Sequence, residues 1–174
     1  MDELDKGQEV ALKGEAAESA AREVRRQVAS WGLALPDVPP LVLDFGLGDF
    51  RAVGEVEFWI ANEKEAGYCG KFLFVWPGQT CPKHFHKEKL ETFFIVKGRM
   101  TMEYDGREMI MKTGDVLLAE TGRNHRFTGI EPTLILEVSK PSIVSDNYFS
   151  DSRIPIGGNR ATGGARGGAG TGAR

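Results

Sequence analysis

Cysteine and histidine are both scarce in this 174-residue chain, with two of the first and three of the second. Two cysteines are too few for a secreted disulfide framework, and Cys69 and Cys81 fit no zinc-finger spacing. They read as reduced thiols of a cytoplasmic protein. Basic residues do not predominate either: 22 Lys and Arg stand against 25 Asp and Glu, a formal charge of −3. Nucleic acid and anionic membrane surfaces are bound through clustered Lys and Arg, so neither is expected as a partner. No apolar run approaches the ~20 residues that cross a bilayer. Met1–Lys6 is acidic, unlike the basic start of a secretory leader.

What is present suffices for one domain, since 41% of the residues are hydrophobic. Between Gln8 and Trp31, Val10, Ala17, Ala20, Ala21, Val24, Val28 and Trp31 recur at three- and four-residue steps, which predicts one amphipathic helix with a weak point at Gly14. Gly32 and the Pro36–Pro40 segment end it, because proline lacks the amide donor and clashes with the preceding turn. Residues 1–40 are therefore helix and connector. From Leu41 the pattern changes to short runs of β type: Leu41–Phe45, Val56–Ala61, Lys71–Trp76, Glu91–Val96, Arg99–Tyr104, Glu108–Met111, Asp115–Ala119, His125–Thr128 and Thr133–Ser139. Such spacing predicts an all-β barrel or sandwich over residues 41–152. Asp105-Gly106 marks a hairpin flanked by Met100, Met102, Met109 and Met111 in period-two alternation, which read as packing residues. Residues 153–174 read as a disordered tail, dominated from Gly157 by Gly, Ala, Arg and Thr, with Arg160, Arg166 and Arg174 in solvent.

The chemistry lies in the stretch from Gly78 to Gly98. Side chains alternate along a strand, so His84 and His86 share a face while Phe85 takes the other. Glu91 opens the next run, and a turn through Lys87–Leu90 can return its carboxylate to the two imidazoles. His125 follows the turn Thr121–Asn124 and shares a face with Phe127. Three histidines and one carboxylate suit Mn²⁺, Fe²⁺, Co²⁺, Ni²⁺ or Zn²⁺ and leave positions open for a substrate.

These residues resemble the cupin superfamily. Its first motif, Gly-x5-His-x-His-x4-Glu-x6-Gly, is matched by Gly78, His84, His86, Glu91 and Gly98 without a gap. Its second, Gly-x5-Pro-x-Gly-x2-His-x3-Asn, is matched at Gly114, Gly122 and His125, with Glu120 and Gly129 departing from it. The resemblance implies a double-stranded β-helix, jelly-roll-like barrel with an N-terminal helix, a divalent metal on His84, His86, Glu91 and His125, and a homodimer to which the early strands and helix could contribute. A narrower resemblance, carried by Lys83–Glu91, Leu136–Ser139 and Asp146-Asn147, is to the D-lyxose isomerases, cupin enzymes that interconvert aldoses and ketoses with Mn²⁺. It implies a free-sugar substrate such as D-lyxose or D-mannose, isomerised to D-xylulose or D-fructose through a metal-stabilised enediolate.

Glu137 is the base that such a reaction needs. The alternation in Thr133–Ser139 sets it in an apolar strand, where burial suits it to acid–base work; an edge glutamate facing water, or one paired with a buried lysine, is the other reading. The isomerase resemblance places a charge-stabilising, sugar-contacting lysine at Lys89, which otherwise reads as a solvated loop lysine. Asp146, Lys83 and Thr80 are further candidates for binding sugar hydroxyls. The same ligand set also serves Fe²⁺ dioxygenases and metabolite-binding cupins without turnover, and both stay open at this point.

Overall fold

The computed structural model describes residues 3–158. Its elements in chain order are α1 (Glu3–Gly7), a 3₁₀ turn (Gln8–Val10), α2 (Gly14–Ser30), β1 (Leu41–Leu43), β2 (Glu55–Glu63), β3 (Tyr68–Val75), β4 (His84–Phe85), β5 (Glu91–Lys97), β6 (Arg99–Tyr104), β7 (Arg107–Lys112), β8 (Val116–Ala119), β9 (His125–Gly129), β10 (Thr133–Ser139), a second 3₁₀ turn (Val144–Asp146) and β11 (Tyr148–Phe149). All pairings between strands are antiparallel. They build a six-stranded sheet in the order β1-β2-β3-β10-β5-β8 and a five-stranded sheet in the order β11-β4-β9-β6-β7. The two sheets form the two walls of a cupin barrel.

Period-two alternation decides what each wall faces. Inward residues of both sheets, among them Leu73, Phe93, Ile95, Met100, Met102, Phe127 and Ile135, form one buried core. Outward residues of the first sheet, Val42, Val56, Phe58, Phe74 and Leu134, form a second with Ala20, Ala21, Val24 and Val28 of α2. The helix thus covers the chain's own sheet. Val24 and Val28 are buried almost completely, and each contributes about 1.5–3 kcal/mol by leaving water. Arg25 ties the connector to the helix by donating to the carbonyls of Pro36 (3.3 Å) and Val38 (2.9 Å). The β6–β7 hairpin turns at Asp105 and Gly106, both at positive φ (49° and 80°), the geometry that favours Asp-Gly. Gly98, between β5 and β6, is required for space: a Cβ there would lie 2.3 Å from the carbonyl oxygen of Pro132.

Three sequence expectations need correction. The helix starts at Gly14 and not at Gln8, because Gly14 at φ +59° breaks the run and Gln8–Val10 forms its own turn, placing Val10 in the barrel core. The strand expected around His84 and His86 is only two residues long, His84–Phe85, and the equally short β11 was missed. Of the expected tail, residues 159–174 lie outside the described residues, while Arg153–Gly158 packs on the barrel, with Ile154 2% exposed in the core. Its apolar alternation, Ile154 and Ile156, explains why it docks.

Candidate metal centre and active site

The four expected ligands converge inside the barrel from both walls. His84 on β4 sits directly opposite His125 on β9, His86 follows β4, and Glu91 opens β5 in the other sheet. One ligand atom from each lies within 4.8 Å of every other, and all four residues are buried. The imidazoles are aimed by their outer nitrogens. Nδ1 of His84 donates to the carbonyl of Pro82 (2.7 Å), that of His86 to the carbonyl of Asp146 (3.0 Å), and that of His125 to the carbonyl of Arg123 (3.2 Å). A carbonyl can only accept, so Nδ1 carries the proton in each ring and Nε2 keeps its lone pair. Burial and the neighbouring rings push the His84 imidazole well below its ordinary range, so it is neutral and ready to ligate at pH 7.

Three atoms in this cluster have no hydrogen-bonding partner although buried: Nε2 of His86, Nε2 of His125 and Oε2 of Glu91. Native interiors rarely leave such groups unsatisfied. Their convergence fits a divalent cation, which would complete all three at once. Glu91 offers only Oε2, since its Oε1 accepts from Lys89 at 2.7 Å. Burial raises the Glu91 carboxyl, but the Lys89 ammonium together with His86 and His125 outweighs it and holds the group well below the usual carboxylate range.

The turn that returns Glu91 to the histidines is built by Asp146. Its carboxylate accepts from the backbone N–H of Lys87 (3.0 Å), Glu88 (3.1 Å) and Lys89 (2.9 Å). Asp146 therefore shapes the site from behind and does not line the cavity beside the ion position. Thr80 and Lys83 do not line it either. Thr80 shares a hydroxyl–hydroxyl hydrogen bond with Thr128 (2.7 Å), and Lys83 pairs with Glu103 (2.5 Å).

Lys89 and Glu137 do line the cavity. Glu137 stands on β10 between β3 and β5, so it is in the middle of the sheet and not at an edge. Its Oε1 accepts from Lys89 (2.6 Å) and from the Ser139 hydroxyl (2.7 Å), and its Oε2 lies 3.4 Å from Lys71. Lys71 in turn reaches Glu57 at 2.6 Å. Burial works against both ammonium groups, yet Glu137 with Glu91 raises Lys89, and Glu137 with Glu57 raises Lys71. Sequence reading missed Glu55, Glu57 and Lys71. The signal was there: Glu55, Glu57 and Lys71 hold the inward positions of β2 and β3, where alternation asks for apolar side chains.

The barrel and its three-histidine, one-glutamate cluster define a cupin, and residues 71–139 match the family model for the cupin domain. Residues 15–102 match the family model for D-lyxose isomerase, so the chain belongs to the D-lyxose isomerase family and is a sugar isomerase. It is 28% identical over 142 residues to the D-lyxose/D-mannose isomerase of Thermosediminibacter oceani, covering 65% of this chain and 77% of that protein. It is 32% identical over 99 residues to the quercetin 2,3-dioxygenase of Bacillus subtilis, covering 53% of this chain but 29% of that one. The fold matches the L-ribose isomerase of Acinetobacter sp. DL28, solved with L-ribose, at a TM-score of 0.68 and 16% identity, over 83% of this chain and 95% of that one.

Proposed function

We propose that the protein interconverts free aldoses and ketoses, D-lyxose with D-xylulose and D-mannose with D-fructose, using Mn²⁺ held by His84, His86, Glu91 and His125. The observation that carries this reading is the Lys89–Glu137 pair beside the ligand cluster, 2.6 Å apart and buried in the same cavity. A divalent ion held by those four residues would supply Lewis-acid chemistry to the open sugar. Glu137 takes the proton from C2 of the aldose and returns it to C1, while the C2 hydroxyl gives up its proton and the C1 oxygen gains one, the path through an enediolate. Oε2, 3.4 Å from Lys71, is the less closely engaged oxygen for this work, because Oε1 accepts from both Lys89 and Ser139. Lys89 holds Glu91 and Glu137 in register and sets a positive charge beside the developing oxyanion. The surrounding Phe93 and Phe127 exclude water.

The test is incubation of manganese-reconstituted protein with a panel of free sugars, followed by chromatography for the isomer. A ketose from D-lyxose or D-mannose supports the reading, and no isomer from any sugar overturns it. The local likeness to a quercetin dioxygenase favours one second reading, an Fe²⁺ oxygenase; oxygen uptake with a chelating substrate would support it. Tight binding of a metabolite without product would mark a cupin without turnover.

We also propose a cytoplasmic homodimer. Both cysteines are free and buried, in keeping with a reducing compartment. Phe94, Val116, Leu118 and Val138, on the outward face of β5, β8 and β10 that α2 leaves bare, are 38–63% exposed. An apolar face of this kind marks an interaction surface. These residues support an interface on the late strands, where sequence reading looked to the early strands and helix. Leu118→Glu with Val138→Glu should give a monomer in sedimentation velocity, and an unchanged sedimentation coefficient would remove this face from the dimer.

A further inference from the structure

Both buried lysines are fully engaged. Lys89 spans Glu91 and Glu137, and Lys71 spans Glu57 and Glu137. Glu57 is complete as well, since Lys71 takes Oε1 and the indole N–H of Trp59 takes Oε2, both at 2.6 Å. Glu55 is left over. It is 4% exposed, it lines the same cavity, and its Oε2 has no hydrogen-bonding partner. Among the described residues, none stands within ion-pair distance of it. Burial, reinforced by the Glu57 carboxylate, raises its carboxyl well above the ordinary range, which favours the undissociated acid. An undissociated carboxyl presents one O–H donor and a carbonyl acceptor, the two functions that pair with an alcohol.

Its level in the barrel is also informative. Lys71 and Glu137 face each other across β3 and β10. Leu73, one inward step deeper, pairs with Glu57, and Glu55 is the next inward residue of β2, opposite Leu43 of β1. Inward residues on one strand are about 6.5–7 Å apart. A small polyol whose carbonyl end sits between the metal ligands and the Lys89–Glu137 pair therefore extends its remaining hydroxyls toward Glu55. No structural partner competes for Oε2, and leaving such an atom alone costs stability that a bound hydroxyl would recover.

We propose that Glu55 is a substrate-binding, specificity-determining residue, whose unpartnered Oε2 hydrogen-bonds a sugar hydroxyl remote from the reacting carbons. The inference rests on the isomerase reading for the nature of the ligand.

The experiment compares D-lyxose with 5-deoxy-D-lyxose, and D-arabinitol with its deoxy analogue lacking the hydroxyl farthest from the reacting end, on manganese-loaded wild type, Glu55→Gln and Glu55→Leu. Turnover is read for the sugars and calorimetric binding for the polyols. In the wild type, loss of the hydroxyl should lower kcat/KM by about 10- to 100-fold, almost wholly through KM, because the contact is the same in ground and transition states. Glu55→Leu should lose as much with the parent sugar and then fail to distinguish it from the deoxy sugar. Glu55→Gln, which also donates and accepts, should retain the discrimination. If Glu55→Leu still prefers the parent sugar by the wild-type ratio, with metal content and thermal midpoint unchanged, the inference is overturned. If no sugar is turned over, the isomerase reading fails alone, and the calorimetric ratio between the two polyols decides for or against Glu55. Absence of binding by both polyols overturns the inference too.

Discussion

Nζ of Lys89 lies 2.6 Å from Oε1 of Glu137, joining the turn before β5 to the middle of β10. The same ammonium sits 2.7 Å from Oε1 of Glu91. One cation thus leaves a single oxygen of Glu91 free toward the imidazoles and engages one oxygen of the residue proposed as base. Removing charges from water is costly unless they are paired with good geometry, and here every buried ammonium has two carboxylate partners. The groups proposed to ligate the ion and to move the proton are consequently one electrostatic unit.

Glu137→Gln keeps the shape of the side chain and removes the base. Metal content should be unchanged while kcat falls by about 10²–10⁴-fold. His84→Ala should lose metal and activity together, as a deleted ligand must. Metal analysis alongside turnover separates the two, and near-normal turnover by metal-replete Glu137→Gln would eliminate Glu137 as the base.

Lys71→Met leaves Glu57 and Glu137 without their shared cation and should cost about 3–5 kcal/mol of unfolding free energy. Adding Glu57→Gln should recover part of that loss, because it removes the stranded charge. Urea unfolding of the single and double variants checks this; additive losses would show that the pair is not coupled.

Asp146→Ala removes the acceptor of three backbone N–H groups in the turn between His86 and Glu91. Outer-shell changes of this sort typically weaken metal affinity by about 10- to 100-fold. Competition with a chromogenic chelator measures it. Wild-type affinity in this variant would mean that the turn holds itself.

Stability should fall in acid through Glu3. Burial opposes its ionisation, but Lys6, Lys64 and the Val144 N–H outweigh that and lower its pKa from 4.5 to about 2. Its folded pKa is below the unfolded value, so the contribution is present above pH ~4.5 and is lost as pH falls toward 2. The lysine partners are 38% and 46% exposed; with that screening the share is about 1–3 kcal/mol. Glu3→Gln should flatten the acid limb of a plot of unfolding free energy against pH, and parallel limbs for both proteins would refute the assignment.

Three members of the proposed ligand set were legible in the sequence because their spacing is local: two histidines alternate on a strand and a five-residue step returns Glu91, while His125 joins them through the β4–β9 pairing. The strand pattern was legible for the same reason, and the limits of β6 and β10 agree with the structure. What escaped was set by distant pairing. Asp146 looked like a sugar ligand since nothing local shows that its carboxylate caps a turn far back in the chain. Lys71 and Glu57 gain meaning only through the β2–β3 and β3–β10 registers. Ile154 resembled the start of a polar tail because the core cluster it joins is assembled from residues far from it in sequence, Val10 among them.

That last contact bears on how the chain folds. Val10, ahead of β1, and Ile154, beyond β11, belong to one buried cluster, and Val10 and Pro155 both flank Gly46. The core cannot close until segments from the two ends of the described chain have met. Contacts between residues far apart in sequence pay loop-closure entropy before they return any stability, so they slow folding. A chain emerging from the ribosome can pair β2 with β3 and β6 with β7 early, but it completes the barrel only after residue 154 has been released.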